Sequence, residues 1–283
     1  MNTQPVFYLP HGGGPCFFME PVQCAHGWPC QPGHCLHRPY AQPWTGLAGF
    51  LRELPATLPQ APRAVLVVSG HWEENPVTLN TQQQPPLLFD YYGFPQHTYQ
   101  LRYPAPGDPQ LAQEIGATLA AAGIETATDG QRGLDHGVFV PFLLTWPEAR
   151  MPVVQLSLKT GLSATEHLRL GAALAPLRER GVLIVGSGMS FHNLRVRSPV
   201  NAPIPESVAF DAALNAVVCT SDPEERNAGL ARWDSLPAAR FAHPREEHLL
   251  PLMVAAGAAG ADRGVRVFNG LMMGWTISGF RFG

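Results

Sequence analysis

Short apolar runs, each followed by small or polar residues, form the main pattern of the chain. Three of these runs, Val6–Leu9, Ala64–Val68 and Val182–Val185, contain no charged residue and no amide or carboxyl side chain. Short unbroken runs of this kind are typical of strands that are buried on both faces of a parallel sheet. The pattern therefore predicts an α/β protein built on a central sheet that is mostly parallel or mixed.

Other patterns predict the elements around this sheet. Apolar residues recur at helical spacing, and capping residues such as Ser163 mark helix starts. We predict helices at Thr45–Leu54, Pro109–Ala122, Ser163–Arg180, Ser207–Thr220 and Pro244–Ala259, and further strands at Val77–Asn80, Ile124–Ala127, Pro152–Leu158, Val265–Asn269 and Trp275–Phe282. No linker or internal repeat interrupts the pattern, so we expect a single domain over residues 1–283, with helices flanking the sheet.

Each of the three apolar runs leads into a turn of small residues and a histidine. His11 begins a His-Gly-Gly-Gly segment, His71 follows a Ser-Gly pair, and His192 comes shortly after a Gly-Ser-Gly turn. In open α/β sheets, ligands bind beyond the carboxyl ends of the strands. Imidazole is the commonest metal ligand in proteins, so three of them at one sheet edge predict a metal site.

Two further histidines join these three as candidates. His136 is predicted in a turn before the apolar stretch Val138–Trp146, and His248 near the start of the helix predicted from Pro244. The positive end of a helix dipole disfavours protonation, which suits a neutral ligand ring. The remaining histidines lack such a placement, and His167 is expected on the surface of its helix. They are His26, His34, His37, His97, His167 and His243.

Composition favours a compact enzyme and excludes several other classes. Charged residues make up 14% of the 283 positions, and the formal net charge is -3 without any basic block. Nucleic acid is therefore not an expected partner. The N-terminus lacks the basic and apolar segments of a secretory signal, and no apolar stretch is long enough to span a membrane. We therefore expect a cytoplasmic protein with no membrane partner, and leave open whether it forms a homo-oligomer.

Four of the five cysteines lie in a segment from about residue 16 to residue 43 that is rich in proline and glycine. An odd number of cysteines in a chain without a signal argues against a disulfide framework. The spacing of Cys24, Cys30 and Cys35 does not match a zinc knuckle or ribbon. We favour a surface loop here, and keep a lid over the site or a second metal site as alternatives.

The stretch from Leu87 to Pro109 combines aromatic residues with several prolines. This composition predicts irregular chain that covers part of the molecule. Its aromatic rings have two open interpretations: they pack within the loop, or they form a wall for a planar substrate.

Six motifs spread along the chain carry a family resemblance. They are PHGGGP at 10–15, SGHW at 69–72, LDHG at 134–137, PVVQLSL at 152–158, GSGMSFHNLR at 186–195 and HPREEHLLPL at 243–252. In this order the set closely resembles the class III extradiol ring-cleavage dioxygenases, in the DOPA-dioxygenase-like branch of the LigB superfamily. The resemblance covers nearly the whole chain and implies a LigB-like fold. The Cys/His-rich stretch from Cys16 to His37 looks like an insertion.

The resemblance implies a role for each candidate histidine. His11, His71 and His248 match the metal-ligand positions of the family. His192 matches the acid/base position, which can also approach the metal as a further ligand, and His136 matches a histidine that lies outside the ligand set or faces the substrate. Extradiol enzymes usually surround Fe(II) with two histidines and one carboxylate, whereas here the third position is His248. An all-histidine set suits zinc as well as iron.

The implied activity is the opening of a catechol ring by O2 at a metal centre. We expect Fe(II) for activity, whereas the isolated protein can also hold Zn(II), which has no accessible redox chemistry. His192, assisted by His136, would take the second catechol proton. Two alternatives stay open. One is a zinc hydrolase that uses the same histidines, a metal-bound water and Glu246 or Glu247 as base. The other is a non-catalytic member of the superfamily.

Overall fold

The centre of the protein is an eight-stranded mixed sheet. The computed structural model describes residues 3–19, 42–198 and 200–283. The strands are β1 (Val6–Pro10), β2 (Ala64–Glu74), β3 (Val77–Asn80), β4 (Thr126–Asp129), β5 (Val153–Lys159), β6 (Val182–Gly188), β7 (Gly264–Met272) and β8 (Trp275–Phe282). Their order across the sheet is β4-β3-β5-β2-β6-β1-β8-β7. The predicted α/β fold with a mixed central sheet is confirmed.

The four central strands β5, β2, β6 and β1 run parallel, and the antiparallel pairs join this block to β3 and β8. All residues of β1 and β6 are buried. A strand that is covered on both faces must be apolar on both, which is why these runs show no alternation. Because β2, β6 and β1 are parallel neighbours, their carboxyl ends meet at one edge of the sheet.

Helices cover both faces of this block. The helices of the described segments are α1 (Thr45–Glu53), α2 (Pro109–Ala121), α3 (His136–Thr145), α4 (Ala164–Leu174), α5 (Pro176–Glu179), α6 (Pro205–Val218), α7 (Pro223–Ala231), α8 (Ala239–Ala242) and α9 (Leu250–Ala258). Gly186 of β6 lies against the Pro251 carbonyl of α9, whereas the hydroxyl of the next residue, Ser187, donates to the Gly137 carbonyl of α3. Successive strand residues face opposite sides, so α9 and α3 lie on opposite faces.

Several predicted elements have different bounds in the structure. The helix predicted from Pro244 begins only at Leu250, because the His248 carbonyl accepts from the Met189 amide instead of joining a helix. Pro176 divides the helix predicted over Ser163–Arg180 into α4 and α5, since proline lacks the amide hydrogen that an unbroken helix needs.

Two predictions about single elements need correction. His136 does not lie in a turn but is the first residue of α3, where its amide donates to the side chain of Asp90. The short strand predicted at Ile124–Ala127 lies at Thr126–Asp129. The sequence patterns did not predict α7, whose residues are too polar to show a helical stripe.

His167 is fully buried and does not lie on the surface as predicted. Its Nδ1 donates to the Ser163 carbonyl at 2.7 Å, and its Nε2 accepts from the Lys159 amide at 3.1 Å. A histidine with both ring nitrogens satisfied can be buried at the junction between a strand and a helix.

Two further predictions are affected by which residues the structure describes. Most of the predicted Cys/His-rich loop, with Cys24, Cys30 and Cys35, lies outside the described residues. Among the residues that are described, no helix has the length and apolar character to span a membrane.

Candidate metal centre

The predicted histidines converge at the sheet edge where β1 and β6 end and where β2 stops pairing with β6. Pro10 at the end of β1 pairs with Gly188 at the end of β6, and Ser69 of β2 pairs with Ser187 of β6. His11 follows the first of these strands directly, and its amide donates to the Gly188 carbonyl at 3.1 Å. His71 comes two residues after Ser69. The parallel register therefore brings residues far apart in sequence to a common edge.

His11, His71 and His248 form one compact cluster. Their candidate ligand atoms all lie within 4.8 Å of one another. The ring centroids are 4.9 Å apart for His11 and His71, 5.2 Å for His11 and His248, and 4.6 Å for His71 and His248. The cluster joins residues from the two ends and the first third of the chain.

The Nδ1 atoms of the three histidines face oxygen acceptors, which leaves their Nε2 atoms able to bind a metal ion. His11 Nδ1 lies 2.8 Å from the Gly12 carbonyl oxygen, and His248 Nδ1 lies 2.8 Å from Glu247 Oε1. Both oxygens can only accept, so Nδ1 carries the hydrogen and Nε2 keeps its lone pair. His71 Nδ1 lies 3.5 Å from Asp90 Oδ2, and this assignment likewise leaves its Nε2 for an ion.

The arrangement of the Nε2 atoms fits a divalent transition metal. His11 Nε2 is buried and has no hydrogen-bond partner among the described residues. The Nε2 atoms of His71 and His248 lie 3.2 Å apart. Two nitrogens that bind one ion at about 2.1 Å are separated by roughly 3 to 3.4 Å, so these two are spaced as ligands of one ion would be. Three imidazoles suit zinc, iron and copper better than calcium or magnesium.

Burial keeps these three rings neutral. Removal from water lowers the pKa of His11, His71 and His248 well below the ordinary value, and neighbouring imidazoles lower it further. A neutral ring is the form that binds a metal. The site therefore presents unprotonated ligands at neutral pH, with no proton to displace.

His192 and His136 flank the cluster on two sides. The ring of His192 lies 3.3 Å from that of His248 between centroids, and the ring of His136 lies 4.0 Å from that of His71. His192 comes from the loop after β6, and its side chain is 20% exposed. The structure thus brings all five sequence-predicted site residues together, three as a cluster and two beside it.

Two carboxylates that the sequence analysis did not assign to a metal site hold these histidines. Asp90 Oδ1 accepts from the amide and the Nδ1 of His136, at 3.0 Å and 2.7 Å. Glu247 Oε1 faces Nδ1 of both His192 and His248. Glu247 had been considered only as the base of a hydrolase. Asp90 is the only acidic residue between Phe89 and Tyr103, where the aromatic residues are concentrated, and that was the one sequence signal that could have singled it out.

Both carboxylates stay ionised although they are partly buried. Burial raises the pKa of Glu247, but the hydrogen bond from His192 and the charge of Arg245 outweigh it, so that the pKa is lowered. The pKa of Asp90 is lowered in the same way, because the hydrogen bonds that it accepts from the side chain and the amide of His136 outweigh its burial. Each carboxylate therefore acts as a hydrogen-bond acceptor beneath the histidines.

A third acidic residue, Asp135, supports the strand that carries His71. Its buried carboxylate accepts from Ser69 Oγ at 2.8 Å and from the Gln155 amide, and pairs with Arg132 at 3.3 Å. The guanidinium of Arg132 also donates to the His71 carbonyl at 3.1 Å. Burial raises the pKa of Asp135, and the nearby charge of Asp90 raises it further.

Aromatic rings line the approach to His136. Tyr91 lies edge-on to the His136 ring, with 5.7 Å between centroids, and it also contacts Phe89, Phe94 and Tyr99. Tyr91 donates a hydrogen bond to the Thr98 carbonyl at 2.6 Å. These four rings therefore pack against one another within the loop, and Tyr91 brings the group into contact with a site histidine.

Two glycines let the segment that carries His248 approach the sheet. A side chain at Gly188 would overlap the His248 carbonyl oxygen, and a Cβ at Gly70 would lie 3.0 Å from the Glu247 carbonyl oxygen. The same His248 carbonyl accepts from the Met189 amide at 3.0 Å and from the Tyr8 hydroxyl at 2.9 Å. The small residues at the strand ends thus serve close backbone packing.

Comparison with protein families identifies relatives of this chain. Residues 38–276 match the model of the family described as the catalytic LigB subunit of aromatic ring-opening dioxygenase. This range includes every site histidine except His11. Dioxygenase tasH of Hapsidospora irregularis is 36% identical to the chain, over 100% of the chain and 86% of that protein. The 4,5-DOPA dioxygenase extradiol of Beta vulgaris is 42% identical, over 71% of the chain and 75% of that protein.

A solved structure shows the same fold. The crystal structure of an uncharacterized protein from Escherichia coli K12 superposes with a TM-score of 0.76 at 27% identity, and the match covers 99% of this chain and 100% of the other. The LigB-like fold expected from the motifs is therefore confirmed. The relatives do not favour the hydrolase or the non-catalytic alternative.

Proposed function

Because the chain belongs to the LigB family of aromatic ring-opening dioxygenases, we propose that the histidine cluster is the metal centre of its activity. The protein is a metal-dependent extradiol dioxygenase, and its family implies a catechol-type substrate and O2. Beyond this family-level activity, we propose which residues bind the metal, which metal is active and which residue carries the proton. His11, His71 and His248 hold the ion through their Nε2 atoms, and Fe(II) is the metal of the active enzyme.

The observation that carries the proposal is the set of inward-facing Nε2 atoms in a buried site. His11 Nε2 has no other partner among the described residues, and those of His71 and His248 are 3.2 Å apart. When bound, Fe(II) supplies the acidity that ionises a catechol hydroxyl and the redox chemistry that O2 requires. Zinc fits the same ligands but lacks that redox chemistry, so we propose that a zinc-loaded form binds catechol without opening it.

His192 is the proposed proton carrier. Its Nδ1 is committed to Glu247, so Nε2 is the atom that accepts the second catechol proton and later returns it. His192 is more exposed than His248, the ligand on which it stacks, and the substrate can therefore reach it. This ring is placed to act on substrate oxygens beside the ion.

His136 is proposed to face the substrate beside His71. Its orientation is set by two hydrogen bonds to Asp90, and Tyr91 limits the space next to it. A planar catechol ring can pack against this apolar side while its oxygens face the histidines. In extradiol opening, the ring breaks beside the two hydroxylated carbons, and both atoms of O2 enter the product.

The test is anaerobic loading with Fe(II), followed by a panel of catechols and air. DOPA comes first in the panel because several relatives are named for it. A yellow ring-opened product that appears with Fe(II) and not with Zn(II) supports the proposal. Absence of any such product across the panel, from protein shown to contain iron, contradicts it.

We also propose a cytoplasmic location. It is supported by the odd number of cysteines, five, which argues against the disulfide framework that is common in secreted proteins. Cell fractionation tests the location. Recovery of the protein in the membrane fraction or the culture medium would contradict it.

A further inference from the structure

One oxygen of Glu247 contacts two histidines that have different proposed tasks. Oε1 lies 2.8 Å from Nδ1 of His248 and 3.1 Å from Nδ1 of His192. The two rings are stacked, with their planes inclined by only 19°. Because both Nδ1 atoms face the same acceptor, both Nε2 atoms lie on the far side of their rings from the carboxylate.

The Glu247 carboxylate also contacts Arg245, which is paired with Glu73 of β2. Arg245 donates to Glu73 through both terminal nitrogens, each at 2.6 Å, and its Nη1 lies 3.5 Å from Glu247 Oε2. Oε2 of Glu247 thus faces Arg245, while Oε1 accepts from His192 and His248. The paired geometry with Glu73 orients the Arg245 guanidinium, and its Nη1 then faces Glu247 Oε2.

We propose that Glu247 is a positioning residue that selects the Nδ1–H tautomer of both His248 and His192 through its single oxygen Oε1. One ring thereby presents Nε2 to the metal, and the other presents Nε2 as the proton acceptor. Glu247 touches neither metal nor substrate in this role. The inference rests on the proposed metal centre for the task of each ring, whereas the tautomer assignment rests on the two hydrogen bonds alone.

Asp90 provides an independent parallel on the other side of the cluster. It takes the amide and Nδ1 of His136 on Oδ1 and lies 3.5 Å from Nδ1 of His71 through Oδ2. Asp90 therefore contacts its two histidines through different oxygens, whereas Glu247 contacts His192 and His248 through the same oxygen, Oε1. The shared atom makes the states of His248 and His192 depend on each other, which is the feature to test.

The neighbouring residue supplies a matched control. Glu246 precedes Glu247 in the same segment, and its carboxylate pairs with Arg240 at 2.7 Å instead of contacting a histidine. Glu246→Gln removes the same charge from the same segment and leaves both Nδ1 bonds intact. Glu247→Gln keeps an acceptor oxygen but removes the charge, and Glu247→Ala removes the acceptor.

The first measurement is the tautomer of each histidine in the metal-free protein, read from long-range nitrogen–proton correlations of the imidazoles. In the wild type and in Glu246→Gln, His192 and His248 should both show the Nδ1–H form. In Glu247→Ala, His192 and His248 should both shift toward the Nε2–H form that free imidazole prefers. In Glu247→Gln, their tautomer populations should lie between those of the wild type and of Glu247→Ala. A wild-type protein that shows Nε2–H at either ring overturns the proposal, and this arm needs no variant to fold.

The second measurement is Zn²⁺ affinity by chelator competition. Loss of a carboxylate that orients a ligand histidine typically weakens metal binding by about 10- to 100-fold, and we expect Glu247→Gln to fall in this range. Glu246→Gln should bind Zn²⁺ as the wild type does. Weaker zinc binding with an unchanged His192 tautomer in Glu247→Ala would make Glu247 a partner of His248 alone, and would overturn the shared role.

The two measurements separate the inference from the proposed function. If the wild type binds no Zn²⁺ or Fe²⁺, the metal centre is wrong, while the tautomer measurement still decides the role of Glu247. If the wild type binds metal and Glu247→Ala retains both the affinity and the tautomers, the centre stands and the inference fails.

Discussion

The imidazole rings of His192 and His248 lie face to face, with centroids 3.3 Å apart. His248 is almost fully buried, whereas a fifth of the His192 side chain is exposed. The proposed ligand thus lies on the interior side and the proposed proton carrier on the solvent side of one stacked pair. This division predicts that the two residues can be separated by substitution.

His192→Ala should retain the metal and lose turnover. Removing a positioned acid/base group typically costs about 10²- to 10⁴-fold in rate, and His192 is outside the three-ligand cluster. Metal content and kcat measured on the same iron-loaded sample check this. Unchanged kcat would remove His192 from the mechanism, and loss of the metal would make it a ligand.

His11→Ala should abolish tight metal binding. Its buried Nε2 has no other partner among the described residues, so the variant loses one of the three proposed ligand atoms. Elemental analysis after zinc loading checks the outcome. His97→Ala is the matched control, because His97 is exposed, contacts the Phe18 carbonyl and should leave one zinc bound. Equal zinc content in the two variants contradicts the assignment of His11.

Asp90→Asn should lower both metal affinity and kcat, by about 10- to 100-fold in affinity. The amide cannot accept on both sides, so either His136 or His71 loses its acceptor on Nδ1. Zinc competition and steady-state kinetics measure the two effects. Glu148→Gln, which removes a charge at an exposed ion pair, should change neither. Wild-type affinity and rate in Asp90→Asn would show that Asp90 does not orient these rings.

Gly188→Ala should destabilise the fold by about 1–3 kcal/mol and weaken zinc binding. The added methyl group would overlap the His248 carbonyl oxygen and push the segment that carries His248 off the sheet. Gly49→Ala in α1 is the control, since a Cβ there would meet no atom of the described residues within 4 Å. There alanine should stabilise by roughly 0.5–1 kcal/mol through helix propensity. Urea unfolding measures the free energy of unfolding of both variants. A Gly188→Ala variant as stable as the wild type would show that close backbone packing does not require glycine at position 188.

The stability of the metal-free protein should fall as the pH drops below about 6.5. Burial lowers the pKa of His243 to about 3, against a modest opposing bond to the Ser190 carbonyl. Between these two pH values the unfolded chain binds a proton at His243 that the folded chain does not, so the free energy of unfolding decreases with falling pH. The loss is about 1.4 kcal/mol per pH unit, or roughly 2 kcal/mol by pH 5.

His243→Gln isolates this contribution, because glutamine keeps an N–H donor for the Ser190 carbonyl but does not titrate. The difference in unfolding free energy between wild type and variant should narrow as the pH falls from 7 toward 5. A difference that stays constant over this range would mean that His243 is protonated without cost in the folded protein.

Local sequence patterns were sufficient for the core of the fold. Unbroken apolar runs located β1, β2 and β6, because a strand covered on both faces needs apolar residues throughout. The same patterns placed His11 directly after β1 and His192 in the loop after β6, whereas His71 lies within β2, which continues to Glu74. They failed for α7, whose residues are mostly polar, and for the start of α9, which begins later than predicted because the His248 carbonyl accepts from the Met189 amide.

The burial of His167 shows a second limit. Its helix has an ordinary amphipathic pattern, in which a histidine is normally exposed. Bonds to Ser163 and Lys159 satisfy both ring nitrogens, and that compensation depends on how a strand end meets a helix start. Burial of a polar side chain is decided by its partners, and partners are set by packing.

The sequence by itself determined which residue types stand at the strand ends, because burial and turn formation act on neighbouring positions. It therefore predicted the sheet and the five site histidines, and the family motifs named their chemistry. Only the tertiary structure decided which acceptor each imidazole faces. Asp90 reaches His136 from 46 positions away and Glu247 reaches His192 from 55. Hydrogen bonds across such separations follow from the packing of loops at the sheet edge, and no local pattern encodes them.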